Sequence, residues 1–131
     1  MSVLIFANGQ VQIGEWVFEA LDKASVVIAA DGGANHLFSL GVVPDAVVGD
    51  QDSLLEPIEA WLERESVPIV QHPPEKDETD LELAVQYAVD KYDATITIIG
   101  AFGGRTDHML ANVLLLAHAQ WRDHSLSLIH I

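Results

Sequence analysis

The chain has 131 residues, half of them apolar, and carries 20 Asp and Glu against 6 Lys and Arg, a formal net charge of −14. That length suits a single domain with a sizeable core, and the apolar fraction excludes a disordered chain. The acidic balance disfavours nucleic acid and anionic membrane surfaces, both of which call for clustered Lys and Arg.

There is no cysteine, so neither a disulfide framework nor a thiolate metal site is available, in keeping with a reducing compartment. The chain opens without a basic, then apolar, leader, and no apolar run nears the roughly 18 residues of a membrane span. The expectation is a soluble, cytoplasmic protein.

Val3-Leu4-Ile5-Phe6 reads as a buried strand closed by the turn Asn8-Gly9. Glu15 to Asp22, with Trp16, Val17, Ala20 and Leu21, has the spacing of an amphipathic helix. Val26 to Ala30 is a second continuous apolar strand, followed by Asp31-Gly32-Gly33. Ala34 to Leu40 reads as a helix that Gly41 ends. Ala46-Val47-Val48 is a third strand, and it runs into Gly49-Asp50-Gln51-Asp52-Ser53.

Pro57 occupies a first helical turn, with Ile58, Trp61 and Leu62 on one face behind it. Pro68-Ile69-Val70 is a short fourth strand, and the loop 71–78 is polar and proline-rich. Thr79-Asp80-Leu81-Glu82 has the form of a capping box, ahead of a helix that buries Leu81, Ala84, Val85, Ala88 and Tyr92. Thr95 to Ile99 is β-branched throughout, the clearest strand of all. A glycine-rich turn, 100–105, leads to a helix expected over 107–121. Residues 125–131 begin like another strand. Continuous apolar strands alternating with helices give an α/β fold: a mostly parallel sheet flanked by helices on both faces, a Rossmann-like three-layer sandwich.

In such a sheet, ligands bind outside the carboxyl ends of the strands. Four strands run into chemically pointed segments: Asp31 to Asn35, Gly49 to Ser53, Lys76 to Asp80, and Gly103 to His108. Singly, each has a plain reading. Asp31 can close a turn on Gly32, while Thr79 and Asp107 can cap helices. Together, Asp31, Asp50, Asp52, Asp77, Asp80 and Asp107 concentrate negative charge on one rim, which must hold cations to offset its self-repulsion. Carboxylates suit Mg²⁺, which takes one or two of them together with waters and phosphate oxygens. Lys76 and Arg105, two of the six bases, fall in the same loops. Acids for metal, bases for phosphate, and a Gly-Gly turn able to face an anion make a phosphoryl-transfer site. Neither a Walker G-x-x-x-x-G-K-[ST] nor a G-x-G-x-x-G is present. The six histidines lack zinc-ligand spacing, Ser53 lacks a nucleophile-elbow setting, and His108 suits either capping support or a phosphate contact.

The four segments in this order resemble the catalytic domain of thiamine pyrophosphokinases, whose motifs D-G-G-A-N, G-D-x-D-S, K-D-x-T-D and G-G-R-x-D-H they match. The likeness extends through Asn112 and covers nearly the whole chain. Gln51 departs from the apolar or aromatic residue that is frequent in the family. The resemblance implies transfer of a pyrophosphoryl group from the co-substrate ATP to the hydroxyl of thiamine, giving thiamine diphosphate and AMP. It implies Mg²⁺ held by Asp50, Asp52 and Asp80, with Asp77 next, while Lys76 and Arg105 offset charge on the transferred group. Asp31, Gly32, Gly33 and Asn35 would line the nucleotide side, and Asp107 would orient or deprotonate the alcohol, unless it only caps. It further implies a domain boundary: residues 1–124 as the ATP- and Mg-binding catalytic domain, and 125–131 as a strand leading to a β-rich C-terminal domain, or a non-native tail. A homodimer is expected of the full-length protein, with poor turnover by the 131-residue chain alone. The alternatives are a pyrophosphokinase acting on another alcohol, such as a pterin, and a non-catalytic Mg-nucleotide-binding module.

Overall fold

The computed structural model describes residues 2–7, 14–30, 32–49, 56–70, 80–92, 95–100 and 126–129, with Asp80 and 126–129 described as backbone. The elements are β1 (Ser2–Phe6), α1 (Glu15–Lys23), β2 (Val26–Ala30), α2 (Gly33–Leu40), β3 (Ala46–Val48), α3 (Glu56–Arg64), β4 (Ile69–Val70), α4 (Asp80–Lys91), β5 (Thr95–Ile99) and β6 (Leu126–Ile129). The strands form one six-stranded sheet in the order β4-β3-β2-β1-β5-β6, and every pairing is parallel. Every strand expected from the apolar runs is present, and the strand-like start of the tail forms β6. The helix expected over 107–121 and the capping residue Thr79 lie outside the described residues.

Side-chain alternation along the strands divides the core into two layers. On one face Leu4, Phe6, Val27, Ala29, Val47 and Ile99 pack with Val17 of α1, Ala34 and Leu37 of α2, and Ile58, Trp61 and Leu62 of α3. On the other, Val3, Ile5, Val26, Ile28, Val48, Ile96 and Ile98 pack with Leu81, Ala84, Val85 and Ala88 of α4. The division follows from crossover handedness. From β1 to β4 the chain steps steadily outward, so right-handed connections put α1, α2 and α3 on one face. The return from β4 to β5 runs the opposite way across the sheet, which puts α4 on the other face. Tyr92, expected to end the buried face of α4, stands one residue beyond the helix and is half-buried against the same cluster.

Local chemistry sets the ends of the elements. Gly41 takes φ 73° and ψ 23° and closes α2, its N–H donating to the Phe38 carbonyl at 3.1 Å. Phe38 and Trp61 meet edge to face with ring centroids 5.0 Å apart, joining α2 to α3. Lys91, in the last turn of α4, donates to Tyr87 Oη at 3.0 Å. Its ammonium also lies 5.3 Å and 5.8 Å from the ring centres of Tyr87 and Tyr92. The hydrogen bond to Tyr87 leads in holding its pKa above the ordinary lysine value.

The approach to β3 is held by a two-way bridge. Asp45 Oδ2 accepts the Val27 N–H at 2.8 Å, and the Asp45 N–H donates to the Val27 carbonyl at 2.7 Å. Val27 is 8% exposed, so losing that carboxylate strands a donor with little access to water. Asp45→Ala is expected to cost about 1–3 kcal/mol in urea unfolding, with Asp45→Asn, which keeps an acceptor oxygen, losing less than half as much.

A second contact ties α2 to β1. A Cβ on Gly33 would stand 1.9 Å from the Phe6 carbonyl oxygen, 2.6 Å from its carbon and 3.3 Å from Ala7 N. These are backbone atoms of a central strand and cannot swing aside. Gly33→Ala is expected to destabilise the fold by about 2–3 kcal/mol, read as a lower urea midpoint at unchanged m-value.

Candidate functional site

With all strands parallel, β1 to β5 end on one edge of the sheet, and each expected motif begins within six residues of one of these ends in the sequence. Ala30 is level with Val48, and Val48 with Val70. Phe6 is level with Ala29 on one side and Ile99 on the other. The five strand ends therefore lie within about one residue of a common line, with neighbouring strands about 4.8 Å apart. Asp31 and Asp50 each follow the last residue of adjacent strands or the glycine after it.

The turn out of β3 is built into Gly49. This residue is buried, its N–H donates to the Val70 carbonyl at 3.0 Å, and its φ is 136°, a conformation that side-chain-bearing residues avoid. Strand geometry therefore ends at Val48, and the chain leaves the sheet at Gly49.

The sheet reverses its winding between β1 and β5, which neighbour each other although α4 leads into β5 from the far edge. A crevice at such a reversal is where doubly wound sheets take their ligands. Ala7 continues the pairing there, its N–H donating to the Ile99 carbonyl at 2.7 Å. The first turn of α2 abuts the same place, since Gly33 touches Phe6 and Ala7. Gly32, Gly33 and Ala34 are buried, and Gly32 stands at the N-cap with no side chain to cap the helix.

Asn35, on the same turn, donates its N–H to the Gly32 carbonyl at 2.9 Å, while its own carbonyl accepts from Ser39 Oγ at 3.1 Å. Its Oδ1 is buried without any hydrogen-bond partner. Of the expected site residues, the structure thus brings Gly32, Gly33 and Asn35 to the reversal point, and Asp80 begins α4. Asp31, Asp50, Asp52, Lys76, Asp77, Arg105, Asp107 and His108 lie outside the described residues. Among the described residues alone, no group of three or more His, Cys, Asp or Glu could hold a metal ion. Sequence reasoning missed the end of β1, Phe6 and Ala7, as a wall of the site. The signal for it was the second glycine of the pair, which marks a helix start pressed against a strand.

Residues 18–129 match the family model described as thiamin pyrophosphokinase, catalytic domain. The chain is 37% identical over 95 residues to the thiamine pyrophosphokinase of Bacillus subtilis, covering 72% of this chain and 44% of that protein. The crystal structure of thiamine pyrophosphokinase from Bacillus subtilis superimposes with a TM-score of 0.82 at 30% identity, over 98% of this chain and 60% of that one. That of thiamin pyrophosphokinase from Geobacillus thermodenitrificans gives 0.80 at 28% identity, over 98% and 59%. The chain spans about half the length of the curated relatives it matches. A family model spanning most of the chain and a relative 37% identical to it agree: the chain belongs to the thiamin pyrophosphokinase family.

Proposed function

We propose that this chain supplies the nucleotide- and metal-holding part of a thiamine pyrophosphokinase, which moves a pyrophosphoryl group from ATP to the hydroxyl of thiamine. The observation that carries this reading is the gathering of five strand ends, and of the α2 glycine turn, at one edge beside the winding reversal. The names of the matched relatives favour thiamine as acceptor over another alcohol such as a pterin.

Gly33 is pressed against the Phe6 carbonyl with no room for a side chain, which sets the start of α2 beside the winding reversal, and Asn35 on the same turn holds an acceptor oxygen without a partner. The donor set offered by the expected metal-binding residues suits Mg²⁺. Asp50, Asp52, Asp80 and Asp77 offer only hard carboxylate oxygens, and the chain has no cysteine to favour a softer metal. Bound there, Mg²⁺ would neutralise charge on the phosphate oxygens.

The thiamine hydroxyl oxygen attacks the β-phosphorus, the bond from that phosphorus to the α–β bridging oxygen breaks, and AMP departs with the electron pair. Asp107 accepts the hydroxyl proton and orients the oxygen. Arg105 and Lys76 stabilise the charge that builds on the transferred group, and His108 adds a phosphate contact. Asp31 with Gly32, Gly33 and Asn35 bounds the nucleotide. Positioning and charge neutralisation supply most of the rate, as they do in phosphoryl transfer generally. The cysteine-free composition supports the cytoplasm as the setting. The full-length protein acts as a homodimer on small molecules, not on nucleic acid or membrane. Among the described residues no helix is long and apolar enough to cross a membrane.

Calorimetry with ATP and Mg²⁺ tests the site. The wild-type chain is expected to bind Mg-ATP, and Asp52→Asn to weaken that binding at least about tenfold while melting as the wild type does, since one charged ligand is lost with little packing. Unchanged affinity would remove Asp52 from the metal site. In the full-length protein, Arg105→Ala is expected to slow AMP release by about 100-fold or more, with a much smaller change in ATP affinity. Equal losses in both would make Arg105 a ground-state binder only.

A further inference from the structure

We propose that Gly100 is a positioning residue for the reaction set out above: its left-handed turn directs the segment that carries Arg105 and Asp107 toward the transferred group. This rests on the proposed function and adds a residue that none of the four motifs contains.

Three glycines among the described residues have positive φ: Gly41 at 73°, Gly49 at 136° and Gly100 at 83°. Gly41 is exposed and ends α2, on the edge opposite the strand ends. Gly49 and Gly100 are buried, and each directly follows a strand, β3 and β5. These two strands run into Asp50 and Asp52, and into Arg105 and Asp107. A left-handed backbone is costly for a residue with a Cβ, which then crowds the following carbonyl oxygen. A side chain at 100 therefore draws the chain back toward strand geometry.

The strand up to that point is held on both sides. Phe6 and Ile129 flank Ile99 in register, and Ala7 donates its N–H to the Ile99 carbonyl at 2.7 Å. A change at 100 is thus passed forward along the chain, not back into the sheet. In strand geometry the five steps from Gly100 to Arg105 would span about 17 Å. A turn at the first of them decides the direction of that reach. Arg105 must meet charge that builds on the transferred group, and a misplacement of about 1 Å can cost about 100-fold in rate.

The test is steady-state AMP release by the full-length protein from ATP, thiamine and Mg²⁺, for Gly100→Ala, Gly100→Asn and Gly41→Ala. Gly41 is the matched control: its φ is similar, and a Cβ there meets nothing within 4 Å. Gly100→Ala and Gly41→Ala are both expected to lower the melting temperature, by about 2–8 °C. Only Gly100→Ala is expected to lower kcat, by about 10- to 100-fold, with the KM for ATP changed less than about threefold. Asparagine enters the left-handed region more readily than most side chains, so Gly100→Asn is expected to keep kcat within about threefold of the wild type. Retained kcat in Gly100→Ala overturns the proposal, as does an equal loss of kcat in Gly41→Ala, or a loss in Gly100→Asn that matches the one in Gly100→Ala. Should Gly100→Ala fail to fold, Gly100→Asn decides: a near-wild-type kcat upholds the proposal and a lost one overturns it. A wild type that releases no AMP from ATP and thiamine overturns the proposed function and this inference together. An active wild type with an equally active Gly100→Ala overturns this inference alone.

Discussion

The start of α2 lies so close to the end of β1 that not even a methyl group fits between them. Much of the molecule depends on that contact. It presses the helix onto the central strand of the sheet, beside the line where the winding reverses, and so fixes where the buried Gly32-Gly33-Ala34 turn sits. The same requirement explains the residue type: glycine at 33 is demanded by the Phe6 carbonyl, before any ligand is considered. The turn proposed to bound the nucleotide and a packing constraint thus coincide in one dipeptide, so substitution at Gly33 acts on the fold first.

Much of this was readable from residue pattern because each strand is buried on both faces. Val26 to Ala30 and Thr95 to Ile99 are continuous apolar or β-branched runs, and each forms a five-residue strand at those residues. Gly41 ends α2 as its position implied. Strand order was not readable, because parallel strands of similar composition carry no mark of their neighbours. Without that order the reversal between β1 and β5, and the part played by Phe6 and Ala7, stayed hidden. The unpaired oxygen of Asn35 was equally invisible, since it depends on how the turn packs and not on what precedes or follows it.

The described interior contains no buried polar residue. Hydrogen-bonding side chains within the described fold work at its margins, as Asp45 does in drawing β3 up to β2 and Ser39 in bonding back to Asn35. The residues proposed above for chemistry belong instead to the connections that follow the strand tips, and such connections can change without disturbing packed layers.

Parallel strands have one more effect. Each connecting helix must run back against its strands, so α1, α2, α3 and α4 all begin at the carboxyl edge. A helix start carries roughly half a positive elementary charge from its aligned peptide dipoles. A chain with only 6 basic side chains and a net charge of −14 therefore presents an electropositive backbone field at its carboxyl edge. Attraction for an anion at that edge comes in part from peptide groups, which no mutation of a side chain can remove and no change of pH can titrate.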